Sequence, residues 1–203
     1  MNSATDGYTY AERPGEPGAP LLFVFHGTGG DEHQFLDIGM QLLPKAHVIA
    51  PRGDVSESGA LRYFRRTGEG VYDMADLARA TEKMARFITE RRAALSPAWV
   101  GALGYSNGAN ILASVLFAAP DLVERSALLH PLIPFEPQPQ PALARRKVLI
   151  TAGRRDPICP PAATEALANY FGAQGAALDL LWHDGGHELR STEFAAVREL
   201  LSG

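Results

Sequence analysis

One cysteine, Cys159, is too few for an internal disulfide, which points to a reducing compartment, the cytoplasm, and sets aside the disulfide-rich secreted class. Lysine is nearly as scarce, with 3 against 16 arginines, and the net charge is −4 with neutral histidines. No broad cationic face follows, so neither nucleic acid nor an anionic membrane surface is expected as a partner. Long apolar runs are missing too. The longest near-apolar stretch, Ile111 to Pro120, falls far short of the roughly 18 residues a bilayer span needs, and no membrane span is expected. The opening Met1-Asn2-Ser3-Ala4-Thr5-Asp6 lacks the basic-then-apolar layout of a signal peptide. What is plentiful is apolar matter, 46% of 203 residues. A chain of that size buries about 70% of its unfolded surface, which excludes a disordered chain and fits a single domain over 1–203.

Six short apolar runs, Leu21 to His26, His47 to Ala50, Trp99 to Leu103, Ser126 to Leu129, Val148 to Thr151 and Leu178 to Trp182, alternate with longer stretches of helical period. That alternation predicts an α/β fold, a mostly parallel central sheet of six to seven strands with helices on both faces. Continuous apolar runs imply strands covered on two sides. Tyr8-Thr9-Tyr10 adds a candidate edge strand. Asp31 with Gln34 resembles a capping box opening a helix over about 32–43. Asp73 caps a helix whose stripe Met74, Leu77, Thr81, Met84 and Ile88 faces the core until Ser96-Pro97 stops it. Asn107 to Ala118 is apolar all round and reads as a buried helix. Pro160-Pro161 suits the first turn of a helix running to about Phe171, and Phe194, Val197 and Leu201 mark a last amphipathic helix. Pro51 to Gly70 and the proline-rich Pro131 to Pro141 read as loops. Neither an internal repeat nor a domain linker is seen.

Gly104-Tyr105-Ser106-Asn107-Gly108 is a G-x-S-x-G sequence at the end of an apolar strand and the start of a helix. Nine serines and 20 glycines make about 0.1 such pentapeptides expected by chance, so the strand–turn–helix placement carries the argument. A sharp turn there holds the serine in a strained conformation with its hydroxyl above the sheet, and glycine on both flanks lets neighbouring chain pass closely. The plainer reading is a capping serine. A serine hydroxyl is a weak nucleophile at neutral pH and needs a histidine base with a group to orient it. Asp156 follows the Val148 run, and His187 follows the Leu178 run. Ser106, Asp156, His187 is the nucleophile–acid–base order of α/β-hydrolases, each residue past a different strand. Taken singly, Asp156 would be a turn residue and His187 a solvated loop histidine.

An oxyanion needs two N–H donors. The turn His26-Gly27-Thr28-Gly29-Gly30 can supply the Thr28 amide, and Asn107, just after the serine, the second. That turn lacks both the dinucleotide spacing and a following Lys-Ser/Thr, so a phosphate loop is set aside. His26 reads as structural, bonded to local backbone. A zinc site from His183, Asp184 and His187 is disfavoured, because the spacing crosses Gly-Gly in a loop. No cofactor or metal is expected.

Phe23 to Glu32, Gly104 to Asn110, Asp156-Pro157-Ile158 and Gly186-His187 together resemble the small, capless phospholipase/carboxylesterase family of α/β-hydrolases, over about residues 20–201. Asn107 and Ala109 stand where the acyl-protein thioesterases of that family have Gln and Gly. Pro51-Arg52-Gly53 with Arg62-Tyr63-Phe64-Arg65-Arg66 looks closer to its bacterial carboxylesterase branch. The resemblance implies an α/β-hydrolase without a cap domain that cleaves small carboxylic esters through an acyl-enzyme, often as a homodimer. Thioesterase or lysophospholipase chemistry on the same triad, or ligand binding without turnover, are the competing readings. Tyr63 and Phe64 are candidates for the wall of an acyl or aryl pocket, Tyr105 for a further substrate contact, and Ile133 to Phe135 for the opposite border. Arg62, Arg65 and Arg66 read as solvated, and Cys159 as an unreactive thiol near the site.

Overall fold

A computed structural model describes residues 7–203, so the polar start Met1 to Asp6 lies outside the described residues. The chain begins with β1 (Tyr10–Arg13), β2 (Leu21–Phe25), α1 (Leu36–Leu42) and β3 (His47–Pro51). Two small antiparallel pairs follow, β4 (Val55–Glu57) with β5 (Ala60–Arg62), and β6 (Arg66–Gly68) with β7 (Val71–Tyr72). Then come α2 (Met74–Leu95), β8 (Val100–Tyr105), α3 (Asn107–Ala118), β9 (Arg125–Leu129) and β10 (Lys147–Gly153). The chain closes with α4 (Pro161–Ala173), β11 (Ala177–His183) and α5 (Ser191–Ser202). The central sheet has seven strands in the order β1-β3-β2-β8-β9-β10-β11. All neighbours are parallel except β1, which runs antiparallel to β3. No cap domain is inserted among the described residues, and none of their helices is long and apolar enough to cross a membrane.

The period-two alternation of the strands divides the core in two. Phe23, Phe25, Ala102, Leu128 and Ile150 pack with Met84 and Phe87 of α2, Leu112 of α3 and Phe171 of α4. Leu22, Val24, Leu103, Ala127 and Leu149 pack with Leu36 of α1 and with Val197 and Leu201 of α5. Each apolar run therefore serves both layers, which is why it reads as continuous rather than alternating. Parallel strands joined by helices point the same way, so the chain segments after β2, β8, β9, β10 and β11 all emerge along one edge of the sheet.

Several local expectations need correction. The edge strand starts at Tyr10, two residues later than Tyr8-Thr9-Tyr10 suggested, because pairing runs from Tyr10↔Pro51 to Arg13↔Val48. The Asp31–Gln34 capping box does not form. Asp31 Oδ1 accepts the His33 N–H at 2.8 Å and Gln34 Oε1 accepts the Gly27 N–H at 2.8 Å, so α1 begins only at Leu36. Met74 lies half exposed, off the buried stripe of Leu77, Thr81, Met84 and Ile88. The Leu178 run is not covered on two sides. β11 is the sheet's other edge, and Leu180 is 37% exposed. Pro51 to Gly70 is not irregular, since it carries β4, β5 and β6.

The junction of β8 and α3 is closely packed backbone against backbone. A Cβ on Gly104 would fall 2.3 Å from Gly108 O, and one on Gly108 would fall 2.4 Å from Phe25 O and 2.5 Å from His26 O. Gly108→Ala should lose about 1–3 kcal/mol in urea unfolding although alanine is the better helix former, because backbone carbonyls cannot rotate away. Gly172→Ala, in α4 with nothing near its would-be Cβ, should gain about 0.4–1 kcal/mol in the same experiment.

Candidate active site

Ser106 sits between β8 and α3 with φ 53° and ψ −117°, a backbone state that costs a non-glycine residue about 1–3 kcal/mol. The state persists because both neighbours of the turn are fixed: the Ser106 N–H donates to Leu129 O at 2.9 Å, and Ser106 O accepts the Asn110 N–H at 3.0 Å. As N-cap of α3 the side chain caps nothing. Its hydroxyl lies 2.9 Å from His187 Nε2 instead. His187 Nδ1 lies 2.7 Å from Asp156 Oδ2, and the other carboxylate oxygen accepts the N–H groups of Ile158 at 2.8 Å and Cys159 at 3.0 Å. The three residues thus meet in one hydrogen-bonded chain. Local packing brings the last two together. The loops after β10 and β11 press so closely that a Cβ on Gly153 would fall 2.0 Å from Gly186 O, and Arg155 N–H donates to Gly185 O at 2.9 Å. Tyr105 OH donates to His187 O at 2.7 Å, and burial pushes this phenol up to about 12.

The turn after β2 is almost saturated. Gly27 N–H goes to Gln34 Oε1, Gly29 N–H to Leu61 O at 3.0 Å and Gly30 N–H to Gly27 O at 3.0 Å. Among the described residues the amides of Thr28 and Asn107 have no internal acceptor. Both residues, with Ser106 and His187, line a cavity of about 250 Å³. His26 holds the turn from beneath: Nδ1 donates to Gly27 O at 2.7 Å, and Nε2 accepts the Gly53 N–H at 2.9 Å. Burial lowers its pKa, which keeps it neutral for that acceptor role.

The pocket wall differs from expectation. Tyr63 and Phe64 are wholly buried and do not line the Ser106 cavity. Tyr63 OH donates to Pro51 O at 2.8 Å and accepts the His26 N–H at 3.1 Å, while its own N–H donates to Asn107 Oδ1 at 2.8 Å. Phe64 packs edge-on against Tyr72 at 4.8 Å between ring centroids. These contacts draw both rings inward, under the site. The cavity is walled instead by Arg62, Tyr72, Tyr105, Leu132 and Ile158. Arg62 is not solvated. It is 3% exposed, donates to Thr28 Oγ1 at 2.8 Å, and burial together with Arg66 lowers its pKa. Ile133 to Phe135 border a separate hollow against α4, and the preceding Leu132 lines the Ser106 cavity in their place. Cys159 is buried, its thiol 3.3 Å from His130 O, and burial pushes its pKa up, so it stays a thiol.

Two residues of this neighbourhood went unnoticed in the sequence. His130, at the end of β9, places Nδ1 2.9 Å from Asp156 Oδ2 and Nε2 3.1 Å from Glu193 Oε1 of α5. His130 stands, like Ser106, just past a strand on the same sheet edge, and that position was the available signal. Glu193 offered none, because its contacts arise only when α5 folds back on β10. Burial pushes the Asp156 and Glu193 carboxyls up, but His130 and the surrounding donors outweigh it and hold both below the usual range. Burial pulls His130 down, and the same two carboxylates outweigh that and raise it.

The pH dependence of stability follows. Asp156 and Glu193 contribute stability that is full above their ordinary values of 3.8 and 4.5 and is lost as pH falls through the lower folded values. His130 contributes stability that is full below its ordinary 6.5 and is lost as pH rises through the higher folded value. Calorimetry should show Tm falling at both ends, and His130→Asn should flatten the alkaline decline.

Known proteins match the chain over nearly its whole length. The model of the Dienelactone hydrolase family matches residues 9–191. A Bacillus subtilis (strain 168) protein named "Putative hydrolase MhqD" is 40% identical over 181 residues, 88% of this chain and 90% of its own. The solved structure of Atu2452 from Agrobacterium tumefaciens str. C58, a protein of unknown function, is 56% identical over 96% of both chains, with a TM-score of 0.90. A Bacillus cereus carboxylesterase is 33% identical over 95% of this chain and 92% of its own, with a TM-score of 0.87. With its sequence matched over nearly its whole length, the chain belongs to the Dienelactone hydrolase family.

Proposed function

We propose that this hydrolase cleaves small carboxylic esters through an acyl-enzyme formed on Ser106. The observation that carries the reading is the chain of contacts from Ser106 Oγ to His187 Nε2 at 2.9 Å and from His187 Nδ1 to Asp156 Oδ2 at 2.7 Å, opening on the cavity. In the reaction His187 Nε2 takes the Ser106 proton as Oγ attacks the ester carbonyl carbon. The tetrahedral oxyanion is held by the amides of Thr28 and Asn107, the latter in the first turn of α3 where helix N–H groups favour negative charge. His187 then protonates the departing alcohol. Water enters, His187 removes its proton, the acid leaves and Ser106 recovers its proton. Asp156 fixes the His187 tautomer and stabilises the imidazolium throughout. Homodimeric assembly is carried over from the family resemblance alone, and a buried thiol without a disulfide partner fits a cytoplasmic setting.

Ser106→Ala should lower kcat on p-nitrophenyl acetate by on the order of 10³-fold or more while Tm stays near that of the parent, and adding His187→Ala should lower it little further, since the residues act as a unit. Turnover of Ser106→Ala close to the parent would remove the serine from the nucleophile's role. The cavity of about 250 Å³ is smaller than the roughly 300–1,000 Å³ of most ligand pockets. Short acyl chains are therefore favoured: kcat/KM should fall at least about tenfold between butyrate and octanoate esters. A flat profile up to long chains would favour lysophospholipid-like substrates instead.

A further inference from the structure

Among the described residues, His130 and Glu193 form a fully buried charged pair that the proposed chemistry leaves unused. Their side chains, like that of Asp156, are 0% exposed. Isolated charges at such a depth are prohibitively costly, so each charge in the group must face an opposite one. Nδ1 of His130 faces a carboxylate oxygen of Asp156, and Nε2 faces one of Glu193. Both ring nitrogens therefore donate, and the ring is an imidazolium between two carboxylates. Glu193 is provided for on every side. Thr151 Oγ1 donates to Oε1 at 2.5 Å, and the Arg190 N–H donates to Oε2 at 2.6 Å. It also occupies the third position of α5, where the helix N-terminus favours an anion. His183 Nδ1 accepts the Gly185 N–H at 2.9 Å, which puts its own proton on Nε2, 3.3 Å from His130 Nε2 and 3.5 Å from Glu193 Oε2; with both His130 nitrogens donating, that proton turns to the Glu193 carboxylate.

His130 also holds a left-handed φ of 51°, matching the 53° of Ser106. Its backbone N–H donates to Thr151 O at 2.9 Å, and its ring stays between the loop after β10 and the first turn of α5. Strain of this kind persists where the surroundings over-determine it. The oxygen that His130 holds, Asp156 Oδ2, is the same one that meets His187 Nδ1.

We infer that Glu193 and His130 are positioning residues: Glu193 keeps His130 charged and oriented, and His130 pins Asp156 Oδ2 where it aligns His187 with Ser106. This rests on the ester-hydrolase reading above and extends its chain of contacts to five groups. The ring carries no proton to or from substrate.

A double-mutant cycle on kcat with p-nitrophenyl acetate tests it. Glu193→Gln should lower kcat about tenfold with KM within twofold of the parent. In an Asp156→Asn background the same change should lower kcat less than twofold, because its route to the site is already cut. An effect of equal size in both backgrounds, or a kcat within twofold of the parent for the folded single variant, overturns the inference. Should Glu193→Gln fail to fold, ring nitrogen NMR of the parent protein at neutral pH decides: two protonated nitrogens on His130 support it, and a neutral ring overturns it. The parent reading fails separately, through an active Ser106→Ala.

Discussion

The backbone of Ser106 is held in a left-handed state that the residue would not choose, and much of the molecule exists to hold it there. β8 runs directly into α3 with no connecting loop, so the chain must reverse within one residue. That reversal is possible because Gly104 and Gly108 let backbone carbonyls approach to distances no side chain permits. The same geometry lifts the hydroxyl above the sheet, keeps it from capping its own helix, and leaves the Asn107 amide unpaired at the cavity. Strain, exposure and an unspent donor are one arrangement seen from three sides.

The remaining groups arrive by topology. The parallel strands end on the same edge, so the residues that follow β2, β8, β9, β10 and β11 place Thr28, Ser106, His130, Asp156 and His187 within a small volume. Bringing acids and bases together under a sheet edge is electrostatically hazardous, since burial favours the neutral form of each. Here every buried charge has a partner: Asp156 has four donors, Glu193 has His130, Thr151 and the N-terminus of α5, and His130 has two carboxylates. The low dielectric that would penalise an isolated charge then strengthens each of these contacts.

The segment between β3 and α2 shapes the cavity from the side. Tyr63 and Phe64 turn into the core and Tyr63 braces the turn after β2, while the buried Arg62 ties down Thr28 through the hydroxyl. Arg66 is held by Glu57 and Glu69. The wall is thus a set of compensated charges rather than a free cationic patch.

The six apolar runs and their helical intervals determined the layered sheet, because a strand buried on both faces must be apolar at every position and a helix between two parallel strands must show its own period. The Ser106 turn was legible for a local reason: its conformation demands glycine at fixed offsets. The order of Ser106, Asp156 and His187 was legible because each follows an apolar run. Residues that face inward or outward were not. Tyr63 and Phe64 looked like pocket walls, yet hydrogen bonds to Pro51, His26 and Asn107, distant in sequence, turn the first inward, and Tyr72 packs the second down. Glu193 carries no mark in the sequence and is a fully buried anion only because α5 sets it against Thr151 and His130. Local propensity and periodicity are written along the chain, whereas the partner of a buried charge is set by contacts between segments dozens of residues apart, and these exist only once the chain has folded.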